Sequence, residues 1–353
     1  MTEELLSTLD RSLPPALWDE FMARRPDAHI MQHRRWGELK ARFGWRVQRV
    51  ALSRAGRLIA GAQLLLRPLP WGQTFAYVPK GPLTADEDDE TNRQLLAAVV
   101  QTARRCRAAV VVLEPDCEGG AHLRPTWMAE GWRPAQPIQP RSTILIDLDG
   151  DDETLLARMK PKWRYNVRLA TRKGVIVRPG SAADLPAVYA LMEETARRDG
   201  FAVHAAPYYA TAYDLFARDG QAVWWLAEHA GTLLAAIVTF VQGARAWYFW
   251  GASANRGRNL MPNHALQWAA LRWARARGCH SYDLWGIPDE VGKDPTAYAE
   301  VEPDRQGGLW GVYRFKQGWG GRVVRFVGAW ELPLSAPGYV LYRLATRLRR
   351  GAP

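Results

Sequence analysis

Cysteine is scarce in this chain of 353 residues, which contains only Cys106, Cys117 and Cys279. They form no Cys-x-x-Cys pair and their number is odd, so we expect neither a disulfide framework nor a zinc site, and a reducing cytoplasm fits best. Long apolar runs are also missing, since the longest, such as LLAAIVTFV, span only about ten residues and are too short to cross a bilayer. The acidic start MTEELLSTLD has no apolar core, and we therefore expect no signal peptide.

Sequence signatures of the common hydrolases are absent too. The chain contains no Gly-x-Ser-x-Gly and no His-Glu-x-x-His, and His264 and His280 have no ligand-like partners in the sequence. We therefore expect no metal site, no cofactor and no hydrolytic chemistry of the serine, cysteine or metal type.

Positive charge, in contrast, is abundant. The formal net charge is +11, which favours an anionic partner such as nucleic acid, phosphates or an anionic membrane surface. The charge is concentrated, because residues 158–173 hold seven basic side chains and no acid occurs between Glu153 and Asp184.

The order of predicted elements occurs twice, which suits a chain long enough for two domains. Three strands, a helix and a buried strand are predicted in the first half at 45–53, 57–69, 73–81, 90–107 and 108–115. The same order is predicted in the second half at 222–229, 232–242, 245–253, 263–277 and 279–287. The two series lie about 175 residues apart and predict an α/β (α+β) fold that arose by internal duplication.

Composition also indicates where the domains meet. The proline-rich stretch from Arg133 to Ser142 is the predicted linker. We place domain one at residues 1–150, completed by residues 330–353, and domain two at residues 151–329. The loop at 288–308 is rich in Asp, Glu, Pro and Gly and is long enough to be functional or mobile.

The basic stretch is predicted to form a helix that Pro161 opens. Cations recur at every fourth position of this helix and share one face, at Lys160, Arg164, Arg168 and Arg172. Like charges at this spacing repel one another. The stripe is therefore either a solvated face or a surface that meets a phosphate-rich ligand.

Five segments, in order, resemble the motifs of the Fem peptidyltransferases, the FemABX enzymes that add amino acids from aminoacyl-tRNA to peptidoglycan precursors. They are MQHRRWGELKARFGW, MKPKWRYNVRLATRKGV, RDGFAVHAAPYY, HALQWAALRWARARGCHSYDLWGIP and GVYRFKQGWGG. Together they cover nearly the whole chain. The family fold is two GNAT-like domains, in agreement with the duplication. Some members carry a long helical arm in domain two, for which this chain has no room, so it resembles the compact form.

The resemblance implies an aminoacyltransferase that works in the cytoplasm, with the inner face of the membrane as a further expected location. It would move an amino acid from aminoacyl-tRNA to the stem-peptide side-chain amine of a UDP-linked or lipid-linked muropeptide precursor. Its partners would be these two substrates, with peripheral membrane contact and without DNA. The precursor would lie in a groove between the domains.

The resemblance also implies positions for substrate binding. Lys40, four residues after Trp36, matches a lysine that contacts the precursor's diphosphate, although the residue taken alone is more simply explained as a helix lysine that faces solvent. His204 matches the family's partner arginine. This is a departure, because histidine is mostly neutral near pH 7 and cannot grip phosphate in a bidentate fork, so either it binds more weakly or a neighbouring arginine substitutes. Tyr208 matches the first tyrosine of the family's pair, where packing is the alternative.

Lys316, preceded by Phe315, matches the lysine at the family's reaction centre. Attack of an amine on an ester develops negative charge on the carbonyl oxygen, which a fixed cation stabilises without a covalent enzyme intermediate. The glycines at 318, 320 and 321 would permit close approach of the tRNA end. A glycine-rich turn before a strand is the alternative.

An acid that faces the precursor is implied at Glu114, which ends a buried strand together with Asp116. Tyr77 and Lys80 end the preceding strand and are expected to line the same groove. Acids at strand ends also serve as turn formers.

Two basic segments have both a functional and a structural interpretation. The stripe at Lys160, Arg164, Arg168 and Arg172 would bind the tRNA backbone, or the same helix would brace the domains. The C-terminal stretch YVLYRLATRLRRG would place Tyr342, Ala345 and Leu348 on one face and Arg343, Arg347 and Arg350 on another. Such a helix either touches the membrane or closes domain one.

Two alternative functions stay open. A GNAT-type N-acetyltransferase would use acetyl-CoA, which requires a glycine-rich loop at a helix N-terminus for the pyrophosphate. Neither KGPLTADEDDE nor GASANRGRNLMPN has that arrangement. A non-catalytic RNA-binding protein would explain the charge but not the duplicated plan.

Overall fold

The computed structural model describes residues 6–9, 13–83, 89–119, 127–300 and 307–351. The chain divides into two compact units. Unit one comprises Met1–Gln139 and Phe326–Pro353, and unit two comprises Pro140–Arg325.

Unit one is built on a seven-stranded sheet in the order β1-β2-β3-β4-β5-β14-β6. Its strands are β1 (Leu6–Leu9), β2 (Arg46–Arg54), β3 (Arg57–Pro68), β4 (Thr74–Pro79), β5 (Ala108–Glu114), β6 (Arg133–Pro134) and β14 (Trp330–Pro333). Its helices are α1 (Pro15–Ala23), α2 (Arg34–Ala41), α3 (Asp89–Arg105) and α11 (Ala336–Gly351), with a 3-10 turn at Ile30–Gln32. Neighbouring strands are antiparallel except for β4 and β5, which are parallel.

Unit two is built on a second seven-stranded sheet in the order β13-β7-β12-β11-β10-β9-β8. Its strands are β7 (Ser142–Asp147), β8 (Ile176–Pro179), β9 (Ala222–His229), β10 (Thr232–Gln242), β11 (Arg245–Ser253), β12 (Ser281–Asp283) and β13 (Arg322–Arg325). Its helices are α4 (Asp152–Arg158), α5 (Pro161–Arg172), α6 (Leu185–Asp199), α7 (Ala206–Phe216), α8 (Pro262–Ala276), α9 (Asp289–Lys293) and α10 (Leu309–Lys316). Three 3-10 turns occupy Ala182–Asp184, Arg258–Leu260 and Gln317–Trp319. Only β11 and β12 pair in parallel.

The two units repeat one plan, which confirms the predicted duplication and fold class. In unit one, β2, β3 and β4 form an antiparallel series, and α3 connects β4 to the parallel strand β5. In unit two, β9, β10 and β11 form the same series, and α8 connects β11 to the parallel strand β12. A crossover helix is the usual way to join two parallel neighbours.

The crossover helices bury matching apolar rows. In α3 the row consists of Leu95, Val99 and Ala103, each 0% exposed and four positions apart. In α8 it consists of Leu266, Ala270 and Ala274, also 0% exposed. This spacing keeps each row on one side of the helix, facing the sheet.

Strand β7 belongs to the sheet of unit two. Residues Ser142–Asp147 pair with β12 on one side and with β13 on the other. The sequence analysis placed these residues in domain one, before a boundary at residue 150. The division of the structure falls instead inside the proline-rich stretch, between Gln139 and Pro140.

Helix α11 packs on unit one, which is the closing role that was expected as the alternative to membrane contact. Tyr342 stacks on Phe75 with ring centres 5.4 Å apart, and Arg343 donates a hydrogen bond to the buried Glu331. Of the predicted apolar face, Tyr342 and Ala345 are half-buried, whereas Leu348 is 76% exposed. Within the described ranges, no helix has both the length and the apolarity needed to cross a membrane.

Candidate functional site

Lys316 ends α10 and is buried in unit two, with 5% of its surface exposed. Its Nζ donates to the carbonyl oxygen of Gly286 at 2.7 Å and to that of Trp285 at 3.2 Å. Burial lowers the pKa of Lys316 to about 7, although the negative charge of Asp283 opposes the shift. The ammonium and the neutral amine are therefore both populated near neutral pH.

The carbonyls that receive Lys316 lie in a turn after β12. Trp285 has a φ of 62°, in the left-handed region that a large side chain rarely adopts. Asp283, which is 2% exposed, accepts a hydrogen bond from the backbone N–H of Trp285 at 2.7 Å. Asp283 is not among the residues predicted for the site, because nothing in the sequence pattern distinguishes a buried carboxylate from a turn-forming one.

Phe315, the other predicted reaction-centre residue, connects α10 to α5 and α8. Its carbonyl accepts a hydrogen bond from Nε1 of Trp163 at 2.9 Å, and its ring packs edge-on against His264 with centres 5.1 Å apart. Burial lowers the pKa of His264 to about 4, so this ring is neutral at pH 7. Its Nε2 lies 3.2 Å from the side-chain amide nitrogen of Asn166. The structure thus brings Phe315 against the basic helix.

The glycines after Lys316 are required by packing inside unit two. A Cβ at Gly318 would lie 2.1 Å from the ring of Trp163, and one at Gly320 would lie 2.2 Å from the carbonyl oxygen of Arg158. A Cβ at Gly321 would lie 2.6 Å from Ile144. Close approach of a tRNA is therefore not needed to explain these glycines.

The basic stripe of α5 divides into two parts. The guanidinium of Arg164 lies 2.7, 3.0 and 3.3 Å from the carbonyl oxygens of Met159, Ala157 and Leu156. These carbonyls belong to the last residues of α4 and to Met159, which follows it, so Arg164 caps the C-terminal end of the helix. The ammonium of Lys160 donates to the side-chain carbonyl of Gln317 at 3.0 Å.

The rest of the stripe faces solvent. Arg168 and Arg172 are exposed on the outer face of α5. The guanidinium of Arg172 lies 5.4 Å from the centre of the ring of Tyr165, which is itself 55% exposed. Lys160 is exposed as well but shares its ammonium with Gln317, so Arg168 and Arg172 are the two arginines of the stripe that are open to a large polyanion.

His204 and Tyr208 form a stacked pair at the start of α7. Their ring centres are 3.9 Å apart with an interplanar angle of 27°. His204 is exposed, whereas Tyr208 is 4% exposed and packs edge-on against Trp250 at 6.0 Å. Burial raises the pKa of Tyr208, so its hydroxyl keeps its proton.

In unit one, Trp36 and Lys40 lie on α2. Trp36 is 4% exposed, and the half-buried Lys40 places its Nζ 5.3 Å from the centre of the Trp36 ring. The pKa of Lys40 is lowered to about 8 by burial and by the nearby charge of Arg67. Arg67, at the end of β3, donates to the carbonyl of Phe43 at 3.1 Å and lies 5.5 Å from the ring centre of Trp45. Sequence reasoning missed Arg67, because only the fold brings the end of β3 to α2.

Tyr77, Lys80 and Glu114 meet where the parallel strands β4 and β5 end, in the register Pro79 to Glu114. The hydroxyl of Tyr77 donates to Glu114, which also accepts from the backbone N–H of Ile138 at 2.6 Å. Burial raises the pKa of Glu114. Both carboxylate oxygens are thus engaged inside unit one.

Lys80 is buried beside this group rather than lining an open surface. It is 3% exposed and pairs with Asp116 at 3.3 Å. Its Nζ also lies 3.6 Å from the centre of the Phe326 ring. Tyr77, Lys80 and Glu114 lie together at the strand ends, and their polar atoms contact groups of unit one.

Comparison with known proteins gives one consistent result. The sequence model of the FemAB family matches residues 13–122, 126–230 and 225–347. Lipid II:glycine glycyltransferase of Staphylococcus saprophyticus is 25% identical over 91% of this chain and 92% of its own length. The enzyme of the same name from Staphylococcus aureus strain MRSA252 is 25% identical over 92% of each chain.

Solved structures agree at the level of the fold. A crystal structure of FemX superposes with a TM-score of 0.82 at 23% identity and covers 96% of this chain and 99% of its own. A tandem GNAT protein from the clavulanic acid biosynthesis pathway gives 0.53 at 15% identity over 93% and 98%. The S. aureus alignment runs over 400 positions, more than the 353 residues present here, so that relative has segments without a counterpart. Among the described residues of unit two the longest helices, α6 and α8, have 15 residues, which is too short for a long helical arm.

Proposed function

The chain belongs to the FemAB family, and from that premise we propose that it is an aminoacyltransferase that extends the stem peptide of a peptidoglycan precursor. The donor is aminoacyl-tRNA and the acceptor is a side-chain amine of the stem peptide. The names of the relatives favour the lipid-linked precursor over the UDP-linked one and glycine as the transferred residue.

The proposed reaction needs positioning and charge more than covalent chemistry. The acceptor nitrogen forms a bond to the ester carbonyl carbon, the bond from that carbon to the tRNA ribose oxygen breaks, and the amine proton ends on the departing oxygen. Negative charge develops on the carbonyl oxygen in between, where a preorganised donor lowers the barrier. No redox partner or cofactor is required by this balance.

Lys316 is the observation that carries the proposal. Two of its three N–H groups are fixed by the carbonyls of Trp285 and Gly286, which leaves one for the developing oxyanion. Because the group is buried, its charge acts in a medium of low effective dielectric and interacts more strongly than in water. Phe315 holds the end of α10 against α5 and α8, so we assign it a positioning role.

On the acceptor side, we assign Lys40 to the diphosphate, with Trp36 supporting it. Arg67 lies close enough to lower the pKa of Lys40, and an anion between two cations would relieve their repulsion. Arg67 is thus our candidate for the arginine that substitutes for the family's partner arginine. His204→Arg separates the two assignments: tighter precursor binding would place His204 at the phosphates, whereas unchanged binding favours Arg67.

We assign Tyr77, Lys80 and Glu114, which meet at the ends of β4 and β5, to the support of the acceptor site. Glu114 receives donors on both oxygens, so its contacts favour a positioning role over proton transfer. Tyr77 and Lys80 hold Glu114 and Asp116 in place. Tyr208, stacked under His204, supports that ring in the same manner.

For the donor we assign the exposed half of the α5 stripe to the tRNA backbone. Arg168 and Arg172 face solvent, and phosphate contacts of this kind supply affinity without sequence information. Lys160 and Arg164 are engaged with oxygens of unit two, so they hold the helix that presents the other two.

We also place the protein at the inner face of the membrane, in contact through α11. The solvent side of this helix is apolar, with Val340, Leu341, Leu344 and Leu348 exposed by 57, 43, 50 and 76%. Arg347 is exposed among them. An amphipathic helix with cations beside its apolar side chains suits an anionic lipid surface.

The deciding experiment is a transfer assay on the purified protein. Charged tRNAs would be combined with either precursor, and the mass of the product would identify the acceptor and the added residue. The absence of a new peptide bond with every charged tRNA would refute the proposal. A thermal shift with excess CoA checks the acetyltransferase alternative, because a ligand that binds the native state raises its melting temperature.

A further inference from the structure

The turn that follows β12 has a strained backbone held at both ends. The N–H of Leu284 donates to the carbonyl of Ile144 at 3.0 Å, and the N–H of Ile287 donates to that of Ser142 at 3.0 Å. Trp285 lies between these bonds with its φ of 62°. A bulky residue keeps such a conformation only where its surroundings over-determine it, and such residues cluster at functional sites.

Two polar side chains fix this conformation. The carboxylate of Asp283 accepts from the N–H of Trp285 at 2.7 Å and from the hydroxyl of Thr143. That hydroxyl also lies 3.1 Å from the carbonyl oxygen of Trp285. Because a hydroxyl has a single proton, Thr143 donates to one of these two acceptors at a time. The result is a turn whose Trp285 carbonyl lies within reach of both Thr143 on β7 and Lys316.

The turn presents those carbonyls to Lys316. The Nζ–oxygen distances to Gly286 and Trp285 are 2.7 and 3.2 Å. Two titratable groups face the ammonium: Asp283 on β12, and Tyr248 on β11, whose ring centre is 5.8 Å from Nζ. Burial raises the pKa of Tyr248 to about 12, so this residue is neutral and Asp283 is the acid that balances the ammonium.

We propose that Asp283 is the positioning residue for Lys316: it holds the Trp285–Gly286 carbonyls in place and supplies the opposite charge that the buried ammonium needs. The inference rests on the proposed role of Lys316 in acyl transfer. Its consequence is that the activity of the enzyme near neutral pH depends on a carboxylate that contacts neither substrate.

Asp283→Asn separates charge from geometry. The amide oxygen still accepts from Trp285 and Thr143, so the turn is retained, but the negative charge is lost. Asp283 acts against burial to raise the pKa of Lys316, so its removal lowers that pKa further. The protonated form then disappears at a lower pH, and activity that needs the cation shifts toward acid.

The test reads Lys316 directly and does not depend on transfer. The chain has only seven lysines, so the ε-carbon signal of Lys316 in ¹³C-lysine-labelled protein can be assigned with Lys316→Met and followed against pH. We expect a midpoint near 7 in the native protein and a midpoint at least about one unit lower in Asp283→Asn. The protonated fraction at pH 7 falls from about one half to about one tenth or less, so transfer at this pH should fall at least about fivefold and recover partly at lower pH.

Asp184→Asn is the matched control. Arg178 holds the pKa of Asp184 well below its usual range through two hydrogen bonds of 2.7 and 3.0 Å. Loss of that ion pair should lower the melting temperature while the Lys316 midpoint stays in place. If Asp283→Asn behaves like this control, Asp283 is only a structural residue and the proposal is overturned.

Two further outcomes are informative. A shifted Lys316 midpoint in a protein that shows no transfer with any substrate would support the coupling and reject the proposed function. If Asp283→Asn does not fold, Thr143→Val replaces it, since this change leaves the charge but removes one donor from the carboxylate. A reduced kcat at unchanged acceptor KM would support the positioning role, and a native kcat would overturn it.

Discussion

Replacement of Lys316 by methionine separates catalysis from stability at a single buried position. Methionine has nearly the same length, so the site stays filled, but it carries no charge and no donor. The carbonyl of Trp285 keeps the hydroxyl of Thr143 at 3.1 Å, whereas that of Gly286 loses its bond of 2.7 Å. An unsatisfied buried carbonyl costs about 1–3 kcal/mol, and removal of the buried ammonium offsets part of this.

The change in the free energy of unfolding between two pH values does not depend on those opposing contributions, so it follows from the pKa of Lys316 alone. The folded-state pKa of Lys316 is about 7, below its ordinary value of 10.5, so between these values the unfolded chain binds more protons than the native one. Stability therefore rises with pH in this window, and the methionine variant lacks the rise. From pH 7 to pH 9 the free energy of unfolding of the native protein should increase by about 2 kcal/mol relative to the variant.

Urea unfolding at both pH values and the transfer assay complete the experiment. We expect Lys316→Met to lose roughly 100- to 1000-fold in transfer rate, as when one oxyanion donor is removed, with precursor affinity nearly unchanged. Lys293→Met is the control, because that lysine is 62% exposed on α9, and it should change neither quantity. A variant that keeps more than about a tenth of the native turnover would show that Lys316 is not central, and equal pH dependence in both proteins would refute the depressed pKa.

Three further predictions concern the binding surfaces. Lys40→Ala removes a ground-state phosphate contact, so KM for the precursor should rise while kcat at saturation holds. Arg168→Gln with Arg172→Gln should flatten the slope of log K for tRNA against log salt by about 1.4 to 1.8, by counterion release at two phosphates. Leu344→Gln with Leu348→Gln should weaken binding to phosphatidylglycerol vesicles at least about tenfold, because each buried leucine contributes more than 1 kcal/mol.

The tRNA and vesicle predictions each have a control variant, and all three predictions have an outcome that would contradict them. Arg218→Gln removes a cation that is 75% exposed on another part of unit two, and it should leave the salt slope unchanged. Ile176→Gln removes an apolar side chain that is 64% exposed on β8, and it should leave vesicle binding unchanged. A fall in kcat at saturating precursor would contradict the role of Lys40. An unaltered salt slope in the double arginine variant would contradict tRNA binding by α5. Full vesicle binding by the double leucine variant would contradict membrane contact through α11.

The fold could be predicted from the sequence because its signals are local and occur twice. In each unit a series of three strands is followed by one helix whose apolar residues lie four apart, as at Leu95, Val99 and Ala103. The partners of β7 could not be predicted, since a six-residue strand after a proline-rich stretch fits either sheet. Its antiparallel pairing with β12 and β13 is a long-range contact that composition does not encode.

The candidate site was predictable only where a side chain belongs to a motif. Lys316 was identified through its neighbours in the sequence, but its burial and its two carbonyl partners follow from where α10 ends beside the turn after β12. Asp283 and Arg67 were missed, because the first resembles any strand-end acid and the second any surface arginine. Their importance depends on which cation the fold places beside them.

The basic stripe shows why a missing counter-charge in sequence does not mean an unsatisfied charge in structure. No acid occurs between Glu153 and Asp184, yet Arg164 is satisfied by three carbonyl oxygens and Lys160 by an amide oxygen. The spacing of four indicated a shared face but not what its members contact, and the end of α4 contacts Arg164. A change at Arg164 therefore removes a helix cap as well as a charge, and its effect on tRNA binding would mix the two. Only the exposed pair on the C-terminal half can report on phosphate contacts alone, which is why the salt-slope experiment uses Arg168 and Arg172.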